Sequence, residues 1–290
     1  MKKRGFKIYG IIGIILIILV ETNLFLRIQP FANWYFPIIW LGYILTIDAL
    51  VYKIKGNSLL SNRPYTLLGM FIVSSLFWWI FEFMNLRLNN WSYSGLEGFV
   101  VYTRVDEISM NTIKNLFGAL SFATVLPALL ETVELIRSLN LFENKKLRKH
   151  HKITKTFLYV TVSLGIICFI LPLFFPAFTF PLVWLTFFLL LDPINYLNKQ
   201  PSIIEHLKDR KLAIPLSLLF VGIILGFFWE FWNYWAIIKW TYDIPFLNFF
   251  KIFEMPIIGY IGYFPFALEL YAMYWFVRSL FLRRDNFLIK

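Results

Sequence analysis

Eight stretches of 17 to 26 residues, at about 8–28, 36–52, 65–86, 115–136, 156–176, 180–197, 212–237 and 257–277, are almost free of charge. A helix rises about 1.5 Å per residue, so each is long enough to cross a hydrocarbon core about 30 Å thick. In such a layer every backbone amide needs a partner within the chain, and a helix supplies it locally. The expected fold is therefore all-α, a polytopic transmembrane bundle of about eight spans. Composition agrees: 59% of the residues are apolar and 20% aromatic, against 16% charged, and the apolar residues come in blocks rather than in alternating or one-sided patterns. Lys2, Lys3 and Arg4 ahead of the run from Ile8 to Val20 have the outline of a secretory signal. No small-residue cleavage site follows and the segment has a later counterpart, so it reads as a retained first helix.

The net charge of +11 comes from Lys and Arg gathered at the N-terminus and in 53–63, 137–155, 199–211 and 278–290, which are alternate links and both ends. That distribution places both termini in the cytoplasm and the chain in the cell membrane, among membrane lipids. Nothing resembles a nucleic-acid-reading module, so no nucleic-acid partner is expected. Cys168 stands alone in an apolar run, which leaves no disulfide framework.

Sliding the sequence against itself reveals a duplication. "PIIWLGYILTIDALVY" lies over "PLVWLTFFLLLDPINY", matching Pro37 with Pro181, Trp40 with Trp184, Asp48 with Asp192 and Tyr52 with Tyr196, and "GNSLL" then falls on "QPSII". Further on, "FWWIFEFMNLRLNNWSY" matches "GFFWEFWNYWAIIKWTY", pairing Glu82 with Glu230, Asn85 with Asn233, Trp91 with Trp240 and Tyr93 with Tyr242. "PALLE" over "PFALE" pairs Glu131 with Glu269. The expectation is two tandem four-helix repeats, 1–145 and 146–290. An even number of spans per repeat gives both copies the same orientation, with a site between them. The links 87–114 and 239–256 read either as interfacial segments, where Trp and Tyr sit comfortably, or as re-entrant lids.

A carboxylate near the bilayer centre costs roughly 2.5–3.5 kcal/mol, so several in one protein call for partners, water or protonation. Asp48 and Asp192 lie close to the basic links and read as capping or pairing groups, and Glu21 as a local packing or interface residue. Glu82 and Glu230 are each followed three residues later by Asn, which puts amide and carboxyl on one helix face. That pattern serves either as interhelical glue or as part of a site. Lys and Arg are absent from the apolar cores, so protonation is the expected route to neutrality, and a neutral acid in an aromatic-walled site is a proton donor.

Several chemistries lack their residues. There is no Asp-rich magnesium-diphosphate cluster; His150, His151 and His206 all sit in links; and no dinucleotide, P-loop or GxSxG motif occurs. No metal or cofactor is expected.

The order "FWE", "WTYD", "PFALE", echoed by "IFE", "WSY", "PALLE", resembles the repeated unit of CarR-type lycopene cyclase domains, integral membrane enzymes of carotenoid synthesis. A single Glu stands four residues after Pro here, where those units carry paired glutamates, and each half here has four spans. The resemblance implies Glu269 and Glu131 as acids and Glu230 and Glu82 as supporting groups. Protonating an isoprenoid double bond makes a carbocation, which electron-rich ring faces stabilise and water destroys. The expected site is thus Glu269, Glu131, Glu230 and Glu82 for acid–base work, with Asn233, Asn85, Trp229, Trp232, Trp235 and Tyr242 against an apolar small-molecule substrate. A proton-coupled carrier and a purely structural membrane protein are the alternatives.

Overall fold

Side-chain and glycine caps set where the helices of this computed structural model begin and end; residues 5–99, 107–150, 152–246 and 249–281 are described. The basic residues Lys2, Lys3 and Arg4, and those beyond 281, lie outside them, as does His151. Two long helices open the chain, α1 (Ile8–Leu26) and α2 (Tyr35–Lys55). Gly56, in the left-handed region at φ 83°, ends α2 and directs its amide to the Tyr52 carbonyl. Ser58 caps the short α3 (Leu59–Asn62) by accepting the Ser61 amide. Pro64, whose missing amide costs nothing at a first helical position, starts α4 (Pro64–Leu88). Strand β1 (Trp91–Ser94) follows, then α5 (Glu107–Ala123) and α6 (Val125–Ser138).

The second half runs through α7 (Lys155–Phe174), the short α8 (Pro176–Thr179), α9 (Val183–Leu197), the short α10 (Ile203–Lys208), α11 (Ala213–Trp235) and strand β2 (Lys239–Tyr242). A small ribbon, β3 (Lys251–Ile252) with β4 (Met255–Pro256), precedes a 3₁₀ turn at Ile257–Gly262 and α12 (Tyr263–Phe281). Thr154 caps α7 and Ser202 caps α10, each accepting the amide three residues on.

The chain is mostly helical, and seven helical stretches among the described residues are long and apolar enough to span a membrane. Their burial sorts them. Only 17% of the α1 window and 22% of the α7 window are enclosed, whereas 72% of Met110–Ser138 and 67% of α2 are. Isoleucines, leucines and phenylalanines left bare on α1 and α7 are what a helix facing acyl chains presents. The chain is a multi-pass membrane protein in contact with lipid. The eighth expected span, 257–277, begins as the 3₁₀ turn and becomes helical only at Tyr263, so Glu269 sits in the second turn of α12 rather than midway along a span.

The expected single span over 115–136 is broken at Thr124. Pro127 has no amide to give the Ala123 carbonyl. Ser74 of α4 bridges the interruption: its hydroxyl donates to the Phe122 carbonyl (2.6 Å) and accepts the Leu126 amide (2.9 Å).

The chain divides into two compact units, Met1–Asn85 with Asn89–Leu135 and Phe227–Ile257, and Leu86–Leu88 with Ile136–Gly226 and Ile258–Lys290. In the first, α1 packs on α2 through glycines. A Cβ on Gly13 would stand 2.6 Å from the Gly42 carbonyl oxygen, and one on Gly42 2.8 Å from that of Gly13. Such backbone contact is how helices associate where lipid removes the hydrophobic incentive. In the second unit Gly165 of α7 meets Leu190 of α9, and Gly222 and Gly226 of α11 meet Tyr263 of α12.

Both buried aspartates are structural, as their position near the links suggested. Asp48 accepts the Leu60 amide of α3 (2.8 Å) and the Tyr9 hydroxyl (2.6 Å). Asp192 accepts the Ile203 and Ile204 amides of α10 (2.7 and 2.9 Å). Asp192→Ala strands two buried donors at about 1–3 kcal/mol each. Its melting point in detergent is expected to fall by several degrees, and that of Asp192→Asn by less because one acceptor oxygen survives.

Candidate functional site

In the first unit, β1 and β2 form a two-stranded antiparallel ladder with Trp91 opposite Tyr242, Ser92 opposite Thr241, Tyr93 opposite Trp240 and Ser94 opposite Lys239. The asparagines expected at the site, Asn233 and Asn85, are hydrogen-bonded to this ladder. Asn233, fully buried, donates through Nδ2 to the Trp240 carbonyl and accepts the Trp240 amide at Oδ1, both at 2.8 Å. Asn85 donates to the Trp91 carbonyl (2.8 Å) and accepts the Asn90 amide (2.9 Å). A side-chain amide has the same donor and acceptor as a peptide, so each asparagine acts as one extra residue of sheet.

The glutamates one turn earlier secure the same strands. Glu82 Oε1 receives the Trp78 and Trp91 indole N–H groups, each at 3.0 Å, and the Tyr93 hydroxyl at 2.5 Å. Burial, and then the charge of Glu82, push the Tyr93 phenol well above its ordinary value, so it remains a donor at any physiological pH. Glu230 Oε1 accepts the Tyr242 hydroxyl (2.6 Å), which in turn accepts the Trp240 indole N–H (2.7 Å). Glu82, Glu230, Asn85, Asn233 and Tyr242 thus converge on one ladder, and the links 87–114 and 239–256 contribute its strands.

The tryptophans separate. Trp229 and Trp232 pack on Trp40, with centroids at 5.4 and 4.8 Å, and Tyr43 joins both Trp40 and Trp232. Trp232 also donates to Glu21 (2.8 Å), the packing partner of an otherwise unmatched acid. Trp235, 49% exposed, lies edge-on to Tyr234 and outside this cluster. Trp40 is wholly enclosed at the middle of the group; its repeat match with Trp184 marked it in the sequence, but nothing there indicated that it would gather the others.

Glu131 of α6 is fully buried beside Asp48, with Glu134 and Lys55 close by. Lys55 and Glu134 form an ion pair. Neither Glu131 oxygen accepts an N–H or an alcohol hydroxyl among the described residues, and its carboxyl lies against that of Asp48, close enough for the two to share a proton. Tyr43 meets Thr132, the next residue on α6, at 2.9 Å. In the second unit Glu269, also fully buried, accepts the Phe187 amide near the start of α9 (2.7 Å) through Oε1, while Oε2 has no partner among the described residues.

No protein family, curated protein or solved structure matches the chain. Its chemistry therefore rests on these side chains. Among the described residues no group of three or more His, Cys, Asp or Glu is arranged to hold a metal ion. Four acids were grouped by sequence, and the geometry divides them by partner: Glu82 and Glu230 accept side-chain donors of β1 and β2, Glu269 accepts the Phe187 amide, and Glu131 lies beside Asp48. Tyr9 and the Lys55–Glu134 pair, both beside this acid chemistry, had no sequence signal beyond their places near the ends of α1, α2 and α6.

Proposed function

We propose that the protein is a cofactor-independent enzyme of the cell membrane that donates protons from buried carboxyls to an apolar isoprenoid or other lipid, as the resemblance to lycopene cyclase domains implies. Glu131 carries the reading. It is wholly enclosed, its two oxygens accept no N–H or alcohol hydroxyl from the described residues, and its nearest polar neighbour is another carboxyl, that of Asp48. An ionised carboxylate in that setting costs several kcal/mol, whereas the neutral acid is a ready donor. Glu269, its sequence match, is equally enclosed and has one oxygen unoccupied. Glu82, Glu230, Asn85, Asn233 and Tyr242 are positioning groups in this scheme, and Trp229 and Trp232, around Trp40, offer the ring faces a cation needs.

The architecture in this reading is two tandem repeats of like orientation with both termini cytoplasmic. Matched hydrogen bonds support it: Asp48 with Leu60 and Asp192 with Ile204, Ser58 with Ser61 and Ser202 with Glu205, Asn85 with Trp91 and Asn233 with Trp240. Ser92 opposite Thr241 pairs matched positions across an antiparallel ladder, as a local twofold axis would.

The test is lipid extraction and mass analysis from a carotenoid- and polyprenol-producing host carrying wild type, Glu131→Gln or Glu269→Gln. A new product with wild type that disappears with either variant, each still monodisperse on size exclusion, is expected. Identical lipid profiles from all three would remove the enzyme. Proton-linked uptake into vesicles, abolished by the same substitutions, would replace it with a carrier.

A further inference from the structure

The basic links of the second unit are joined rather than loose. Lys146 and Lys211 form an antiparallel bridge, flanked by the Leu147 amide donating to the Arg210 carbonyl (3.1 Å) and the Leu212 amide to the Lys145 carbonyl (3.1 Å). Arg210 Nε donates back to the Leu147 carbonyl at 2.8 Å, spending that guanidinium on structure. Beside the bridge is an open cavity of about 540 Å³ lined by His150, Lys152, Lys208, Asp209 and Lys211. Three lysines and one aspartate line it; Lys211 contacts Asp209 at 3.4 Å and Lys208 lies against Tyr196, so the lysines outnumber the single carboxylate.

Two features fix what that ligand is. Its lining among the described residues is cationic, and it is wide enough for a phosphate with its substituents, which suits a phosphate-bearing anion. Its depth selects the source. Lys152 stands three residues before α7 and Lys211 two before α11, the starts of two membrane-spanning helices. Both segments therefore lie where lipid headgroups begin. Lys208 also reaches over the Tyr196 ring at 5.3 Å, at the end of a third such stretch. Topology alone asks for positive charge in these links, but not for two links bridged around a cavity.

We propose that this cavity binds the phosphate headgroup of an anionic phospholipid. Each lysine near a charged headgroup is worth about a fivefold change in affinity, so removing three weakens binding on the order of 100-fold. The experiment uses the full chain in detergent, titrated with nanodiscs of phosphatidylglycerol or of phosphatidylcholine, and separately with inorganic pyrophosphate. The wild type and the triple variant Lys152→Gln, Lys208→Gln, Lys211→Gln are compared with Lys53→Gln, an exposed lysine of the first unit. Preference for phosphatidylglycerol that weakens by about 100-fold in the triple variant, survives in Lys53→Gln and falls with added salt is expected. Equal binding of both lipids by wild type, or equal phosphatidylglycerol affinity in wild type and triple variant, would overturn the site. Pyrophosphate binding through these lysines without a phosphatidylglycerol preference would overturn the lipid as its source.

Discussion

Gly42→Leu is expected to abolish the packing of α1 on α2 and to leave little folded protein to extract. The cause is backbone rather than side-chain contact. A Cβ at Gly42 would lie 2.8 Å from the Gly13 carbonyl oxygen and 3.0 Å from Ile17 Cγ1, and one at Gly13 2.6 Å from the Gly42 carbonyl oxygen and 2.7 Å from Thr46 Oγ1. Overpacking a core ordinarily costs about 1–3 kcal/mol because side chains give way. Two helix backbones cannot give way without parting, so the penalty here should exceed about 3 kcal/mol. Gly69 is the control, since nothing lies within 4 Å of a Cβ placed there. Thermal unfolding followed by fluorescence-detected size exclusion should show Gly69→Ala like wild type, Gly42→Ala distinctly lower and Gly42→Leu largely aggregated. A Gly42→Leu protein as stable as wild type would mean that α1 does not sit against α2 in the membrane.

Asn233→Ala should be almost as severe. It removes the acceptor for the Trp240 amide and the donor to the Trp240 carbonyl together, each buried orphan costing about 1–3 kcal/mol. Asn85→Ala, at a half-buried position, should cost less. Hydrogen exchange is the decisive measurement, because the amides of 239–242 and of 91–94 should lose protection in either variant. Protection lost in one strand alone would mean that the asparagines hold their strands independently and that the ladder contributes little. Asn233→Asp retains the acceptor, sacrifices the donor and introduces a charge where exposure is nil, so it should not rescue.

The spans were legible because a membrane imposes a length and a hydropathy that irregular sequence cannot mimic. Among the described residues seven helical stretches have that length and hydropathy, and Asp48 and Asp192, near the basic links, cap short helices as their positions suggested. The break at Thr124 had a sign in Pro127, but the tolerance of membrane helices for proline hides whether one bends or divides. What decided it was Ser74 on another helix, which periodicity cannot place. Trp91, Tyr93, Trp240 and Tyr242 stood out as a matched set and suited an interfacial belt. Strands of four residues whose partners are 149 positions apart leave no local pattern, so the ladder was invisible. Glu82 and Glu131 looked alike in sequence because apolar neighbours surround both. Only the donors that fold around Glu82, from positions 78, 91 and 93, distinguish them.

The ladder also dictates an order of events during synthesis. Ser92 waits for Thr241 to be made, a delay of roughly 10–30 s at ribosomal speeds. Throughout that interval the first strand has Asn85 and Glu82 of its own helix to hold it, but no partner strand. Closure of the first unit is consequently a late, length-gated event, and a ribosome stalled anywhere before residue 239 leaves a nascent chain whose helices are threaded but whose clasp is open.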